Sequence, residues 1–393
     1  MKINPALRIS EIKPYFFSIL EQKIAILKER GLDVIRLDMG SPDLPPAPFI
    51  IEALIKSVKL PNKHSYTASG GTSSFLQAVA SYYQNRFGVS LDPKSEILAL
   101  IGSKEGIFNI HHTLLDPGDL VLLPDPCYPV YRSGVRISNC QDYAMPLLRE
   151  NDFLPDLEKI PEDIARKAKL MWINYPNNPT GAVADLAFFK KCVAFAKEFN
   201  IIIAHDAPYV DLTFDGYKAP SILEVDGAKE VVVEFNSLSK TYNMAGWRIG
   251  MAVGNKEIIR LLKIYKSQID TSLFAPIMDA GEAALLGDQS WLLDRNRIYQ
   301  ERRDIVVETL LQSGFKLDNP KAGLYVWAKL PEGCENTIEF CEELLEETGV
   351  SITPGGVYGK SGEDYIRISN VIPTDRIKEA TERMLVWMQS KKN

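Results

Sequence analysis

Ser237-Leu238-Ser239-Lys240-Thr241-Tyr242-Asn243-Met244-Ala245-Gly246-Trp247-Arg248-Ile249-Gly250 follows, after the single residue Asn236, on Val231-Val232-Val233-Glu234-Phe235, an apolar run that reads as a buried strand. Lys240 therefore stands just past a strand end. It has hydroxyls three and one residues before it (Ser237, Ser239) and a guanidinium eight after it, on Arg248. Such a lysine can form a Schiff base with an aldehyde, while the hydroxyls and the guanidinium hold a phosphate dianion. An isolated lysine in a polar loop is ordinarily a solvated surface group, so the rest of the chain has to decide between the two readings.

Outward from this stretch, short apolar runs alternate with helical patterns. The expected strands are Ile97–Ile101, Leu120–Leu123, Leu170–Ile173, Ile201–Ala204, Val231–Phe235 and Ile249–Val253, with helices between them over 102–115 and 184–199. That alternation predicts an α/β domain with a mainly parallel central sheet covered by helices. The link from Phe235 to Ile249 is too short for a crossover helix, so the last strand is expected to run antiparallel. A helix is expected over 9–30, with Ile12, Phe16, Ile19, Ile24 and Leu27 along its apolar side and Gly31 closing it. From Glu257 a helical region runs to about residue 313 and reads as continuous. A strand over Gly323–Leu330, a helix over 336–348, a strand over Tyr365–Ser369 and a final helix over 374–390 follow. The expected division is an N-terminal segment (1–47) joining a smaller α+β domain (286–393), with the large domain over 48–285.

Composition excludes several classes. The 393 residues are 46% apolar and 24% charged, with net charge −6 and scattered lysines, which argues against a nucleic-acid footprint. Five cysteines without CxxC spacing fit a reduced cytoplasmic protein. The N-terminus lacks the apolar core of a signal peptide, and no apolar run is long enough to span a membrane. With four histidines, of which His111 and His112 point to different faces of a helix, no metal site is expected.

Ligands of open α/β sheets bind beyond the carboxyl ends of the strands, and the unusual residues cluster there. After strand 97–101, Gly102-Ser103-Lys104 opens a helix, an arrangement suited to an anion. After 120–123, Pro126-Cys127-Tyr128-Pro129 could present Tyr128 as a plate for an aromatic ring. After 170–173, Asn174-Tyr175-Pro176-Asn177-Asn178-Pro179-Thr180-Gly181 forms a tight turn that admits a cis peptide and offers the Asn178 amide. After 201–204 comes His205-Asp206-Ala207-Pro208-Tyr209. A carboxylate at a buried strand end needs a cation, and a protonated pyridine nitrogen would be one. Tyr209 could reach the same phenolate oxygen as Asn178. Five successive strand ends thus supply an anion nest, a stacking ring, an amide, a carboxylate and a lysine, the set that pyridoxal 5′-phosphate (PLP) requires.

On the strings NNPTG, HDAPY, SLSKTYNMAGWRIG and YIRIS, the chain resembles the fold-type I PLP-dependent aminotransferases of class I and II, over essentially its whole length. The resemblance implies that Lys240 is the Schiff-base lysine and that Asp206 pairs with the ring nitrogen. It implies that Asn178 and Tyr209 hold the 3′-oxygen, that Tyr128 stacks on the ring, and that Ser103, Lys104, Ser237 and Arg248 bind the phosphate. Tyr66 matches a tyrosine that reaches the neighbouring subunit's phosphate, which implies a homodimer with shared active sites. Arg367 matches the clamp for the substrate α-carboxylate, with Gly40 assisting it. The activity implied is ping-pong transfer of an amino group from an L-amino acid to a 2-oxo acid, expected to be 2-oxoglutarate.

Among donors the style of the chain is similar to LL-diaminopimelate aminotransferases, which would place it in lysine biosynthesis, and to their alanine-, aspartate- or aromatic-using relatives. Diaminopimelate enzymes carry a carboxylate shortly after the tyrosine matching Tyr66; here Thr67-Ala68-Ser69-Gly70-Gly71-Thr72-Ser73-Ser74 has none. A PLP-dependent C–S lyase begins with the same proton removal, so the cofactor residues alone leave it open. A non-catalytic PLP-binding regulator would need a DNA-binding module, for which the sequence leaves no room.

Overall fold

The computed structural model describes residues 3–10, 16–334 and 336–391. Among these the strands are, in chain order, Ile35–Arg36 (β1), Ile97–Leu100 (β2), Leu120–Asp125 (β3), Gln141–Pro146 (β4), Ala168–Asn174 (β5), Ile202–Asp206 (β6) and Val232–Ser237 (β7). Gly250–Gly254 (β8), Lys316–Leu317 (β9), Tyr325–Lys329 (β10), Val350–Ser351 (β11), Thr353–Pro354 (β12) and Tyr365–Ser369 (β13) follow. A seven-stranded sheet has the order β2-β8-β7-β6-β5-β3-β4. All its strands are parallel except β8, which runs antiparallel to both neighbours, as the short connection requires.

Both faces of this sheet are covered, so its inner strands are largely apolar. Along β5, Leu170 and Trp172 pack into one layer with Ile107, Ile110, Tyr131 and Val135. Met171 and Ile173 face the other layer, with Phe189, Cys192, Val193 and Ala196. The helix Leu186–Phe199 that supplies the latter group is bounded by local chemistry. Asp185 caps its first turn by accepting from Phe188 N, and Asn200 ends it in a left-handed conformation (φ 57°).

The C-terminal sheet is antiparallel in the order β12-β13-β10-β9. The N-terminal stretch is stitched into it: β1 pairs in parallel with β11, and Ser369 N donates to Leu37 O at 2.7 Å. Both chain ends therefore build the smaller α+β layer, packed around Val306, Val326, Ile366 and Ile377.

Two expectations need correction, and one strand is added. The region 257–313 is not continuous but forms helices Lys256–Lys266, Ala275–Leu286 and Trp291–Gln312. Ser272 at φ 83° and the extended Gly287 interrupt it, and Pro276 fits only because it lies in a first turn. Residues 9–30 are described as Leu7–Ser10 and Phe16–Glu29, with Ile12 outside the described residues. In the second of these helices the apolar stripe is Phe16, Leu20, Ile24 and Leu27, which leaves Ile19 exposed. Strand β4 is an addition, since its polar, largely exposed edge sequence carries no apolar run.

Beneath the sheet's carboxyl edge, the fully buried Glu234 accepts from Tyr83 Oη (2.7 Å) and Ser221 Oγ (2.8 Å) and lies 3.0 Å from His205 Nδ1. His205 Nε2 reaches Tyr175 O at 3.2 Å, so the cluster ties β6 and β7 to the β5 turn. Glu234→Ala strands three buried polar groups at once. It is expected to cost about 3–5 kcal/mol, read as a lower denaturant midpoint than that of the wild type.

Candidate active site

A cavity of about 520 Å³ lies at the carboxyl edge of the large sheet, between it and the β10–β13 layer. Gly40, Ser103, Lys104, Tyr128, Asn178, Asp206, Tyr209, Ser237, Lys240, Arg248 and Arg367 all line it. Tyr66 does not; it is 90% exposed on the surface. The structure thus brings together every expected site residue except the one whose expected role is in a neighbouring subunit.

Lys240 sits on the single-turn helix Leu238–Thr241 that follows β7, and its Nζ donates to Gly40 O. Burial lowers the pKa of its amine, with Arg367 and Arg248 acting in the same direction. Asp206, the last residue of β6, is 5% exposed. Its Oδ2 accepts from Tyr131 Oη at 2.6 Å, and its Oδ1 has no hydrogen-bond partner. Burial pushes this carboxyl up to about 6. Tyr131 is fixed by stacking on Trp172, at 4.5 Å and 7°.

The β5 turn contains cis bonds at Tyr175–Pro176 and Asn178–Pro179. Asn174 braces it: its amide donates to Asp206 O (2.6 Å), and its Oδ1 accepts from Asn178 N (2.8 Å). Asn178 Oδ1 in turn accepts from Arg367 Nη1 at 3.1 Å, leaving its amide nitrogen free to face a ligand. Arg367 Nη2 donates to Asp38 O at 2.8 Å. The guanidinium carbon lies 4.1 Å from the Tyr325 ring centroid and 4.9 Å from that of Tyr358, and Nε has no partner.

At the other end of the cavity, the helix Ser103–Leu114 presents its N-terminus. Gly102 precedes it at φ 72°, and a Cβ there would collide with the Arg248 guanidinium. Burial, and then the charge of Arg248, lower the Lys104 pKa, as expected of two cations held close together. Ser237, which caps the Lys240 turn, completes the group.

Tyr325 is a site residue the sequence reading missed. Its hydroxyl lies 3.3 Å from that of Tyr209. Burial raises its pKa, but Arg367 and Lys240 outweigh burial and draw the phenol below its ordinary value. Phe17, Glu21, Arg36 and Asp38, on which the sequence reading was silent, also line the cavity.

The donor set fits PLP. The unpartnered Asp206 Oδ1 suits a pyridinium N–H, the paired cations at a helix N-terminus suit a phosphate dianion, and a buried amine of lowered pKa suits an aldehyde. A mainly parallel sheet carrying these groups along one edge defines a PLP-dependent enzyme of the aminotransferase fold.

Comparison with known proteins agrees. The family model for aminotransferase class I and II matches residues 32–384. LL-diaminopimelate aminotransferase of Moorella thermoacetica is 51% identical over 382 residues, covering 97% of this chain and 98% of the relative. The Desulforudis audaxviator enzyme of the same name is 49% identical over 384 residues, covering 98% of each. The substrate-bound structure of BacF from Bacillus subtilis superposes with a TM-score of 0.94 at 39% identity, covering 98% of each chain. The chain belongs to the class I and II aminotransferases and is a PLP-dependent aminotransferase.

In the cofactor-free protein, the raised pKa makes Asp206 a liability once it ionises. Its folded-state value of about 6 lies above the 3.8 of an unperturbed carboxyl. The linked stability is therefore fully present below about pH 4 and is lost as pH rises through about 6. Asp206→Asn should make the cofactor-free protein more stable at pH 8, by roughly 2–3 kcal/mol at most, with the gap closing at pH 4. Thermal melts across that range check it; a pH-independent difference would count against the assignment.

Proposed function

We propose that this aminotransferase takes its amino group from LL-diaminopimelate and passes it to 2-oxoglutarate, within lysine biosynthesis. The full-length likeness to the Moorella and Desulforudis enzymes carries the choice of donor. The convergence of Lys240, Asp206 and Arg367 on one cavity supports the chemistry.

Bound PLP supplies an aldehyde that condenses with amines and a protonated ring that draws off the electrons left at the substrate Cα. Asp206 holds the ring-nitrogen proton, since a buried carboxylate with one unsatisfied oxygen ionises most readily against a cation. The Asn178 amide and the Tyr209 hydroxyl hold the ring's 3′-oxygen, and Tyr128 covers its face. Ser103, Lys104, Ser237 and Arg248 hold the phosphate. Arg367, sandwiched between Tyr325 and Tyr358, takes the substrate α-carboxylate and, with the Gly40 backbone beside it, fixes the direction of the Cα–H bond. Lys240 moves the Cα proton, and burial, which lowers the pKa of its amine, favours the neutral form that can take it.

The reading includes a cytoplasmic homodimer with shared active sites. Supporting the dimer, Tyr66 lies outside its own chain's cavity and is exposed, as are the apolar side chains of Leu60, Ile269 and Phe274. Thr67 Oγ1 donates to Leu273 O at 3.0 Å and ties the two loops together. Among the described residues no helix is long and apolar enough to cross a membrane.

The test is spectral. Holoenzyme is given LL-diaminopimelate, alanine, aspartate, glutamate or an aromatic amino acid, one at a time. The visible band of the bound cofactor should be lost fastest with LL-diaminopimelate and restored by 2-oxoglutarate. Faster loss with another donor would overturn the choice of donor, and release of ammonia without an acceptor would indicate a lyase. Lys240→Ala should abolish transfer; normal turnover by that variant would sink the assignment.

A further inference from the structure

The wall of the cavity beyond the α-carboxylate clamp carries a charged cluster that the reaction steps leave unused. Arg36 donates through Nε and Nη2 to both oxygens of Asp38, each at 2.7 Å, and through Nη1 to Glu21 Oε1 at 2.8 Å. All three residues line the cavity. Two carboxylates around one guanidinium leave the cluster with one negative charge in excess. The Asp38 side chain is fully buried and that of Arg36 is 16% exposed, whereas Glu21 is 55% exposed and reaches in from the helix Phe16–Glu29. Of the two carboxylates, Glu21 is the one a ligand can reach.

Distance sets what this wall can read. The carbonyl of Asp38 accepts directly from Arg367, and Arg36 lies two residues back, about 7 Å along an extended chain. A seven-carbon diamino diacid, fully extended, spans about 6 Å from its α-carboxylate carbon to its distal amine-bearing carbon. A donor clamped on Arg367 is therefore long enough for its far end to reach the Arg36–Glu21 pair, and Phe17 and Met39 line the same cavity. The segment after Tyr66 offers no carboxylate for that purpose. We propose that Glu21, held in place by Arg36, reads the distal ammonium of the amino donor and sets the preference for donors with a second amine. The inference rests on the diaminopimelate reading and deepens it.

The test compares LL-diaminopimelate with L-2-aminopimelate, the same carbon chain without the distal amine, using wild-type and Glu21→Gln holoenzymes. The variant should show about a tenfold higher KM for LL-diaminopimelate, from loss of one charge-assisted contact at a half-exposed site. Its kcat should change by less than about twofold, because that contact is equal in ground and transition states, and L-2-aminopimelate, whose far end carries only a carboxylate, should show a KM no higher than with the wild type. Glu21→Lys should reverse the ranking of the two donors. A parallel rise in KM for both donors, or no change for either, overturns the role of Glu21 and leaves the donor reading standing. A wild-type enzyme that does not turn over LL-diaminopimelate overturns the donor reading itself, and the proposal with it.

Discussion

Everything in this site depends on a carboxylate buried at the end of a central strand with only one of its oxygens satisfied. Asp206 would be too costly to keep there without a frame that fixes it and a cation that answers it. The frame is built from polar groups that are each used more than once. Tyr131 donates to Oδ2 while stacking on Trp172, and Asn174 donates to the Asp206 carbonyl while accepting from the Asn178 backbone N–H. Asn178 then accepts from Arg367, and Arg367 donates to Asp38 O. One hydrogen-bonded path thus runs from the large sheet across the cavity to the N-terminal strand, so the cofactor end and the substrate end are positioned against each other by bonds that include no loose loop.

The odd strand β8 has a specific consequence. In a wholly parallel sheet, every residue just before a strand lies at the far edge from the ligand. Because β8 runs the other way, the residues preceding Gly250 emerge at the edge where β2 and β7 end, with Leu100 opposite Gly250. That reversal is what brings Arg248 beside Gly102, Ser103 and Lys104, although some 145 residues of sequence separate them. The glycine at 102 follows from the close approach of the guanidinium.

Much of this was legible in the sequence because each chemical group follows a run of four or five apolar residues, and a strand end is where an apolar run stops. Lys240, Asp206, Asn178 and Ser103 were found that way. What stayed hidden breaks that pattern. Tyr325 stands inside the apolar run Leu324-Tyr325-Val326-Trp327 and reads as a core residue, since nothing local shows that its hydroxyl meets Tyr209. Arg36 and Asp38 alternate with apolar neighbours, as a half-solvated strand does, but the polar face turns into the cavity. The edge strand β4 has no apolar face to signal it, and the helical region after Glu257 was read as unbroken because amphipathic spacing is insensitive to a short backbone excursion such as that at Ser272.

The two arginines of the substrate side show how one residue type is given opposite roles. Arg367 has only neutral partners, the Asn178 amide oxygen, the Asp38 carbonyl and the rings of Tyr325, Tyr358 and Phe17, and among the described residues no carboxylate lies within ion-pair distance of it. Its charge is desolvated but not neutralised, so a substrate carboxylate meets the full attraction of a guanidinium in a dry setting. Arg36, two strand positions from the carbonyl that Arg367 holds, is over-neutralised by Asp38 and Glu21. The cavity is therefore polarised along the length of the donor, positive where the α-carboxylate binds and negative at the far wall. A field of that sense favours a donor whose α-carboxylate meets Arg367 and whose far end carries an ammonium, and it penalises one that sets a carboxylate without an accompanying amine against Glu21.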